Sequence, residues 1–344
     1  RLDALHSVDE VSGEAELGPG VTGPQAEELL GAHGFSLGHF PQSFQFATIG
    51  GFAATRSSGQ DSAGYGRFDD MVRGVRVISP AGVLDVGRAP ASAAGPDLRE
   101  LIVGSEGVFG VITRAALRAV TQTGAGPTVI RLSDEAETLV NLATTESIGE
   151  QSITGGCLAI TLFEGTPAHS ESRHAETRAV LETHGGTSLG EEPARAWEHG
   201  RFNAPYLRDS LLAAGALCET LETATNWSNL AALKTAVTEA LLAELGPALV
   251  MCHISHVYPT GASLYFTVVA AQHDNPIEQW RKAKTAASEA MVRAGGTITH
   301  HHAVGADHRP WMRAEIGDLG VDVLRAVKAT LDPAGILNPG KLIP

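Results

Sequence analysis

Short apolar runs broken by turn residues dominate the first third of the chain. The runs Glu14–Leu17, Val75–Ser79, Val83–Val86 and Gly110–Val120 read as strands. Helical patterns are brief there, chiefly Pro24–Ala32 and Asp97–Val103. Gly124-Ala-Gly-Pro127 reads as a domain boundary, and beyond it the texture changes. Cys157–Phe163 is a compact apolar strand candidate, followed by a helical stretch, His169–Thr183, that stops at Gly185-Gly186. The segment 205–245 reads as helix-rich. Ala248–His256 and Ser263–Ala270 read as two strands joined by a turn at Pro259-Thr-Gly261, and a helix from Ile277 to Ala294 ends at Gly295-Gly296. Val321–Thr330 predicts a last helix, closed by Asp332-Pro333 and a Gly/Pro-rich tail. Such an order predicts an α+β protein whose second part is a sheet with helices on one face.

Composition narrows the function classes. The chain has 344 residues, enough for about two domains, and 43% of them are apolar, enough for a sizeable core. Asp and Glu outnumber Lys and Arg, 39 to 25, for a net charge of −14. That surplus argues against a nucleic-acid partner, which wants a basic footprint. Three scattered cysteines, Cys157, Cys218 and Cys252, form neither a disulfide framework nor a zinc pattern, so a reducing, cytoplasmic setting is the expectation. No apolar run is long enough to span a bilayer, and no signal-peptide pattern opens the chain. The chain opens at Arg1 and already reads as mid-domain, so further residues are expected upstream.

Gly18-Pro-Gly20-Val-Thr-Gly23 fits a dinucleotide fingerprint literally, with a strand before it and a helix after. The second buried strand ending in an acid, which that motif also needs, is missing, and a plain turn is the expectation. Pro41-Gln42-Ser43-Phe-Gln-Phe46-Ala47-Thr48-Ile-Gly50-Gly51 carries more. Paired glycines let backbone approach a ligand, and Ser43 and Thr48 supply hydroxyls. Thr55-Arg56-Ser57-Ser58-Gly59 and Tyr65-Gly66 continue the pattern. Gly104-Ser-Glu106-Gly107-Val-Phe-Gly110-Val111-Ile112-Thr113 adds a second loop that runs straight into a strand. Small residues, hydroxyls and free backbone amides suit a pyrophosphate or a flavin edge.

These runs resemble the FAD domain of the vanillyl-alcohol-oxidase (PCMH-type) flavoproteins. Within that superfamily the chain is most similar to the alkyldihydroxyacetonephosphate synthase family, over nearly its whole length and most strongly at 35–120 and 295–344. The resemblance implies an FAD-binding domain at 1–122 whose N-terminal part, with the pyrophosphate loop, lies upstream of Arg1. It implies a substrate cap with an antiparallel sheet at 128–310, and a return to the FAD domain at 311–344. The cofactor contacts it implies are Pro41, Gln42, Ser43, Phe46, Ala47, Thr48, Gly50, Gly51, Thr55, Arg56, Ser57, Ser58, Gly59, Tyr65, Gly66, Glu106, Gly107, Gly110, Val111 and Ile112. The active site is expected between the domains, over the flavin.

Related flavin-linked 2-hydroxyacid dehydrogenases carry His-x-Gly-Asp-Gly-Asn-x-His and a later Gly-Glu-His-Gly, from which His and Glu hold a metal. Here the first region reads His256-Val-Tyr-Pro-Thr-Gly-Ala-Ser-Leu-Tyr265, with Tyr265 at the second His position, and the later one reads Thr299-His300-His301-His302-Ala-Val-Gly305. A carboxylate-poor site is a poor divalent cage, so no metal is expected, while a phenol and imidazoles suit proton transfer. On a strand only His300 and His302 would share a face. The resemblance makes Tyr265 and His300, His301 and His302 the catalytic candidates. Arg131, in an apolar strand, is either structurally paired or reaches the site. Arg208 resembles the family's arginine for an anionic part of the substrate, against the alternative of a surface pair with Asp209. Asn338 and Lys341, in the tail Leu331-Asp-Pro-Ala-Gly-Ile-Leu-Asn338-Pro-Gly-Lys341, either touch the site or form a structural turn.

The activity implied is exchange of the acyl chain of acyl-dihydroxyacetone phosphate for a fatty alcohol, with no net redox and the flavin as electrophile and electron sink. The alternative is an FAD-linked oxidase or dehydrogenase of an alcohol or 2-hydroxyacid. Partners on the first reading are lipid-like small molecules; peripheral membrane contact and a homodimer are compatible with it.

Overall fold

A computed structural model of the chain describes residues 2–87, 96–118, 127–144, 155–258 and 261–344. Residues 124–126 of the expected boundary, the last two of the strand read as Gly110–Val120, and 259–260 of the expected turn lie outside them. The chain divides into two compact units, one made of 1–123 and 301–344, the other of 124–300. The expected cap boundary at 310 therefore falls beyond the observed division, with His301 and His302 in the first unit.

The first unit holds β1 (Leu5–Asp9), β2 (Glu14–Leu17), α1 (Gly23–Gly31), α2 (Ile49–Thr55), α3 (Ser62–Tyr65), α4 (Phe68–Met71), β3 (Val72–Ser79), β4 (Gly82–Val86), α5 (Arg99–Ile102) and β5 (Val111–Arg118). Its sheet runs β1-β2-β5-β3-β4, every pair antiparallel. An antiparallel sheet is not the parallel doubly wound fold that a dinucleotide fingerprint would need. The glycine run at 18–23 is a structural turn: Gly18 and Gly20 donate to the carbonyls of Ala4 and Leu2 at 2.8 and 2.6 Å. Thr22 caps α1, with its backbone N–H bonded to the Gln25 side chain at 3.0 Å.

The second unit holds β6 (Val129–Ser133), α6 (Glu135–Thr144), β7 (Leu158–Leu162), α7 (Pro167–Thr183), α8 (Glu192–Gly200), α9 (Ala204–Ala213), β8 (Ala216–Asn226), α10 (Leu230–Leu245), β9 (Ala248–Ile254), β10 (Val257–Tyr258), β11 (Gly261–Ala271) and α11 (Pro276–Arg293). β11 is central, paired antiparallel with β8, β9 and β10, and β9 continues through β6 to β7. Leu233, Val237, Leu241 and Leu245 recur every four residues on α10 and are all buried. They join Leu221, Phe266 and Val268 of the sheet in one core, to which α11 adds Ala283, Ala287 and Met291. Alanines at helical spacing let α11 lie close against α10. The chain closes with α12 (Met312–Leu331), kinked at Gly317, which belongs to the first unit.

The segment 205–245 is helix-rich as expected, with one element added. It contains α9 and α10, but between them lies β8, an eleven-residue strand. Ala, Leu and Glu in β8 favour helix locally, and the alternation of apolar positions is imperfect. Full-length pairing with β11, from Asn226 opposite Gly261 to Ala216 opposite Ala271, overrides that preference. Asp97–Val103 shortens to the single turn of α5.

In the first unit His39 is fully buried between Phe52 and Phe68, with ring centroids 4.7 and 4.8 Å away and Nε2 3.0 Å from Ser57 Oγ. Burial holds its pKa down to about 3, against a weaker upward pull from Asp69. The unfolded chain protonates this imidazole near pH 6.5, and the folded one resists until about pH 3. Stability is therefore lost as pH falls through that window. Denaturant unfolding of His39→Gln should show a flatter fall across it than the wild type; an unchanged slope would remove His39 as the source.

Candidate active site

Cofactor-type features gather in the first unit. The Thr48–Gly51 segment, expected as a loop, is the start of α2, with Thr48 as its N-cap accepting from the Gly51 N–H at 3.3 Å. Gly50 and Gly51 differ in what surrounds them. A Cβ at Gly50 would strike Pro19 at 2.6 Å, whereas one at Gly51 would meet only Thr48 Oγ1 at 3.6 Å. Gly50 is thus a packing glycine and Gly51 an exposed edge. Ser43 and Phe46 are also exposed.

Several expected cofactor residues are committed internally. Arg56 ends α2 in a left-handed conformation (φ 51°) and binds Glu100, Asp69 and the Val103 carbonyl. Ser57 bonds His39, Tyr65 is buried with its carbonyl held by Arg118 at 2.7 Å, and Gly59 packs on Phe40. Glu106, at φ 53°, accepts the backbone N–H groups of Val304 and Gly305 at 2.7 and 2.8 Å. Pro41 and Gly110 are buried, Val111 and Ile112 lie on β5, and Gln42, Ala47, Thr55, Ser58, Gly66 and Gly107 line the same three runs. The tail is a structural turn at Asp332, which accepts from Lys328, Ile336 and Leu337. Asn338 donates to the Glu106 carbonyl. The Ser43 and Thr48 hydroxyls, the open Gly51 edge and the Phe46 ring fit FAD: donors for phosphate oxygens, an apolar wall for a planar ring.

Proton-transfer groups gather in the second unit. Tyr265 on β11 pairs in register with His253 on β9, and their rings stack at 4.9 Å and 20°. His253 Nδ1 lies 3.0 and 3.1 Å from the two oxygens of Glu137, and its Nε2 lies 3.1 Å from Arg131 Nη1. Arg131 also ion-pairs with Glu137. Its buried Nε–H has no partner among the described residues. The neutral tautomer with Nδ1–H donated to Glu137 and Nε2 accepting from Arg131 Nη1 satisfies both ring nitrogens, and Arg131 Nη2 also lies 3.0 Å from Nδ1. Burial and the adjacent guanidinium push the imidazole pKa down, partly offset by Glu137. The His253 and Arg131 charges hold Glu137 down to about 2 against its own burial. Burial pushes the Tyr265 phenol up, opposed by its hydrogen bond with Thr220.

Across from Tyr265 on β8 stands Glu222, 2% exposed. Its oxygens accept from the Thr299 hydroxyl and the His300 backbone N–H, both at 2.6 Å. His300 is buried, with Nε2 2.6 Å from the Tyr258 hydroxyl and its ring stacked on His256 at 5.2 Å. The expectation of a carboxylate-poor site is therefore amended: Glu137 and Glu222 are both there, each engaged by protein donors. The histidine triplet is not on a strand, so the alternation argument fails for it. His301 and His302 lie in the first unit with rings edge-to-face at 4.9 Å. Arg208 on α9 pairs with Glu219 on β8 at 2.6 Å and only loosely with Asp209, at 3.8 Å. Glu137, His253 and Glu222 escaped the sequence reading, and His256 and Tyr258 were quoted in its first motif region without being named as candidates. For Glu137 a signal existed: Asp134 three residues earlier caps α6, its side chain accepting the Glu137 N–H at 3.0 Å.

Comparison with known proteins defines the class. The family model "FAD linked oxidases, C-terminal domain" matches residues 112–342, and "FAD binding domain" matches 1–87. The chain belongs to the FAD-linked oxidase family, and its cofactor is FAD. More particularly, it is 32% identical to an alkyldihydroxyacetonephosphate synthase of Trypanosoma brucei brucei and 31% identical to one of Dictyostelium discoideum. Each alignment covers 100% of this chain and 64% of the relative, so the chain spans somewhat under two thirds of their length. A solved alkyldihydroxyacetonephosphate synthase structure superposes with a TM-score of 0.79 at 28% identity, over 99% of this chain and 67% of that one.

If Gly51 is the cofactor contact expected of it, the two α2 glycines should respond differently to substitution. Gly51→Ala should leave the melting temperature of the FAD-free protein unchanged or slightly raised, since Ala favours helix by about 0.5–1 kcal/mol, while weakening FAD binding about tenfold or more. Gly50→Ala should destabilise by about 1–3 kcal/mol through overpacking on Pro19. Calorimetry and flavin fluorescence titration read both, and equal behaviour of the two variants would contradict the assignment.

Proposed function

We propose that this protein is an FAD-dependent alkyldihydroxyacetonephosphate synthase, exchanging the acyl chain of acyl-dihydroxyacetone phosphate for a fatty alcohol to form an ether bond without net redox. The observation that carries this reading is Tyr265: a protonated, partly buried phenol stacked on His253 beside the Arg131 guanidinium. The likeness to the synthases over the whole chain supports it. Bound FAD supplies an electrophilic, electron-accepting ring.

The chain's own groups supply the rest. The Tyr265 hydroxyl, protonated at neutral pH, gives its proton to the departing carboxylate oxygen as the substrate C–O bond breaks. The resulting phenolate takes the proton of the fatty alcohol as the new C–O bond forms, which restores the phenol. His300, held at its backbone by Glu222 and at its ring by Tyr258, removes and returns the proton on the substrate carbon beside the ketone. His301 and His302 assist proton movement. Arg208 binds the phosphate once Glu219 yields it, and Arg131 orients the carbonyl. A lipid substrate implies encounters at a membrane surface; among the described residues no helix is long and apolar enough to cross one.

The family description itself favours a second reading, oxidation of an alcohol or 2-hydroxyacid. Anaerobic mixing separates the two. Exchange of acyl for labelled alkyl chain with no electron acceptor supports the synthase. Bleaching of the flavin with release of an oxidised product supports the oxidase. Tyr265→Phe should lower kcat for exchange by about 10²–10⁴-fold, the usual reach of a positioned acid–base group, and full activity in that variant would overturn the assignment.

A further inference from the structure

Glu137 is a buried carboxylate with no part in the reaction as derived above. It sits in the first turn of α6, where the helix dipole favours an anion. The helix start is pinned to the sheet: Asp134 donates its N–H to the Cys252 carbonyl at 2.9 Å and ion-pairs with Lys234 at 2.9 Å, and the Thr138 hydroxyl donates to the Ser133 carbonyl. From this fixed base the carboxylate reaches two groups at once, Arg131 on β6 and His253 on β9. The imidazole so held is the one that lies flat on the Tyr265 ring.

We propose that Glu137 is a positioning residue for the acid–base step: its carboxylate locks Arg131 and the His253 tautomer, and through them sets the orientation and charge environment of the Tyr265 phenol. This rests on the assignment of Tyr265 as the proton-transfer group. The lock is carried by geometry. Glu137, which can only accept, holds His253 Nδ1, and Arg131, which can only donate, faces Nε2 and also approaches Nδ1, so a flip or a change of tautomer breaks the buried contact with Glu137. The phenol is faced by Glu222 and Thr220 from β8, His253 from β9, Arg131 from β6 and Glu137 from α6. Among these, the two carboxylates disfavour the phenolate and Arg131 favours it. Removing the Glu137 charge leaves Arg131 uncompensated, so the phenol should ionise at lower pH.

Glu137→Gln keeps the shape and removes the charge. The chain has four tyrosines, so ring-labelled tyrosine gives four ¹³Cζ titrations, with Tyr265 identified by its loss in Tyr265→Phe. In Glu137→Gln the Tyr265 midpoint should fall, and the kcat–pH profile for exchange should move the same way. With KM nearly unchanged, kcat should fall about 10–100-fold, the scale that loss of an orienting carboxylate behind a histidine costs. Glu137→Asp should recover part of both effects. An unmoved Tyr265 midpoint in folded Glu137→Gln overturns the proposal. Should that variant not fold, ¹⁵N spectra of the wild type decide: the proposal requires His253 to stay neutral with Nδ1 protonated across pH 5–8, within the range where an ordinary histidine titrates at about 6.5, and a freely titrating ring overturns it. Full activity of Tyr265→Phe alongside a shifted phenol midpoint would remove the reaction role of Tyr265 and leave the Glu137 lock standing.

Discussion

A carboxylate withdrawn from water must find donors, and the architecture of this protein follows from where it puts such groups. Glu222 is almost fully buried and is satisfied by Thr299 and the His300 backbone, which fixes a non-regular segment to the sheet. Glu106 does the same for Val304 and Gly305 in the other unit. Glu137 joins a helix and two strands through one arginine and one histidine. In each case the acid accepts from protein donors and ties a stretch of backbone or a side chain to its place. A chain with 39 acidic residues has this resource in surplus.

β2, β3, β4 and β5 of the first unit and α7 and α11 of the second were legible because apolar spacing and glycine stops act locally, whereas β1, α6 and α8 were not read. β2 and the end of α7 lie where the pattern puts them. β8 was not legible, because its residues prefer helix in isolation and only the long-range pairing with β11 makes them a strand. The glycine-rich runs marked the cofactor region through resemblance, yet composition could not tell that Gly50 serves packing while Gly51 is open. Nor could it tell that Ser57 faces inward or that Arg56 is tied to Glu100, Asp69 and the Val103 carbonyl.

At the candidate site, Tyr265 and His300 were visible as departures from a known motif. Their supports were not: His253 and Glu137 are 116 positions apart, and nothing in either segment announces the other. Stacking, tautomer and ion pair are properties of three strands and a helix brought together, which is why a motif can name a reacting group and miss what holds it.

The first unit is discontinuous: the stretch 124–300 is inserted between its two parts. During synthesis, residues 124–300 leave the ribosome as one uninterrupted block and can fold as soon as they are out. The earlier segment must wait for the last helix, where Lys328 reaches the Val108 carbonyl at 2.8 Å and Leu331 receives the Ala81 amide at 3.2 Å. A chain still being made can thus carry a finished 124–300 module while its earlier segment still lacks the last helix.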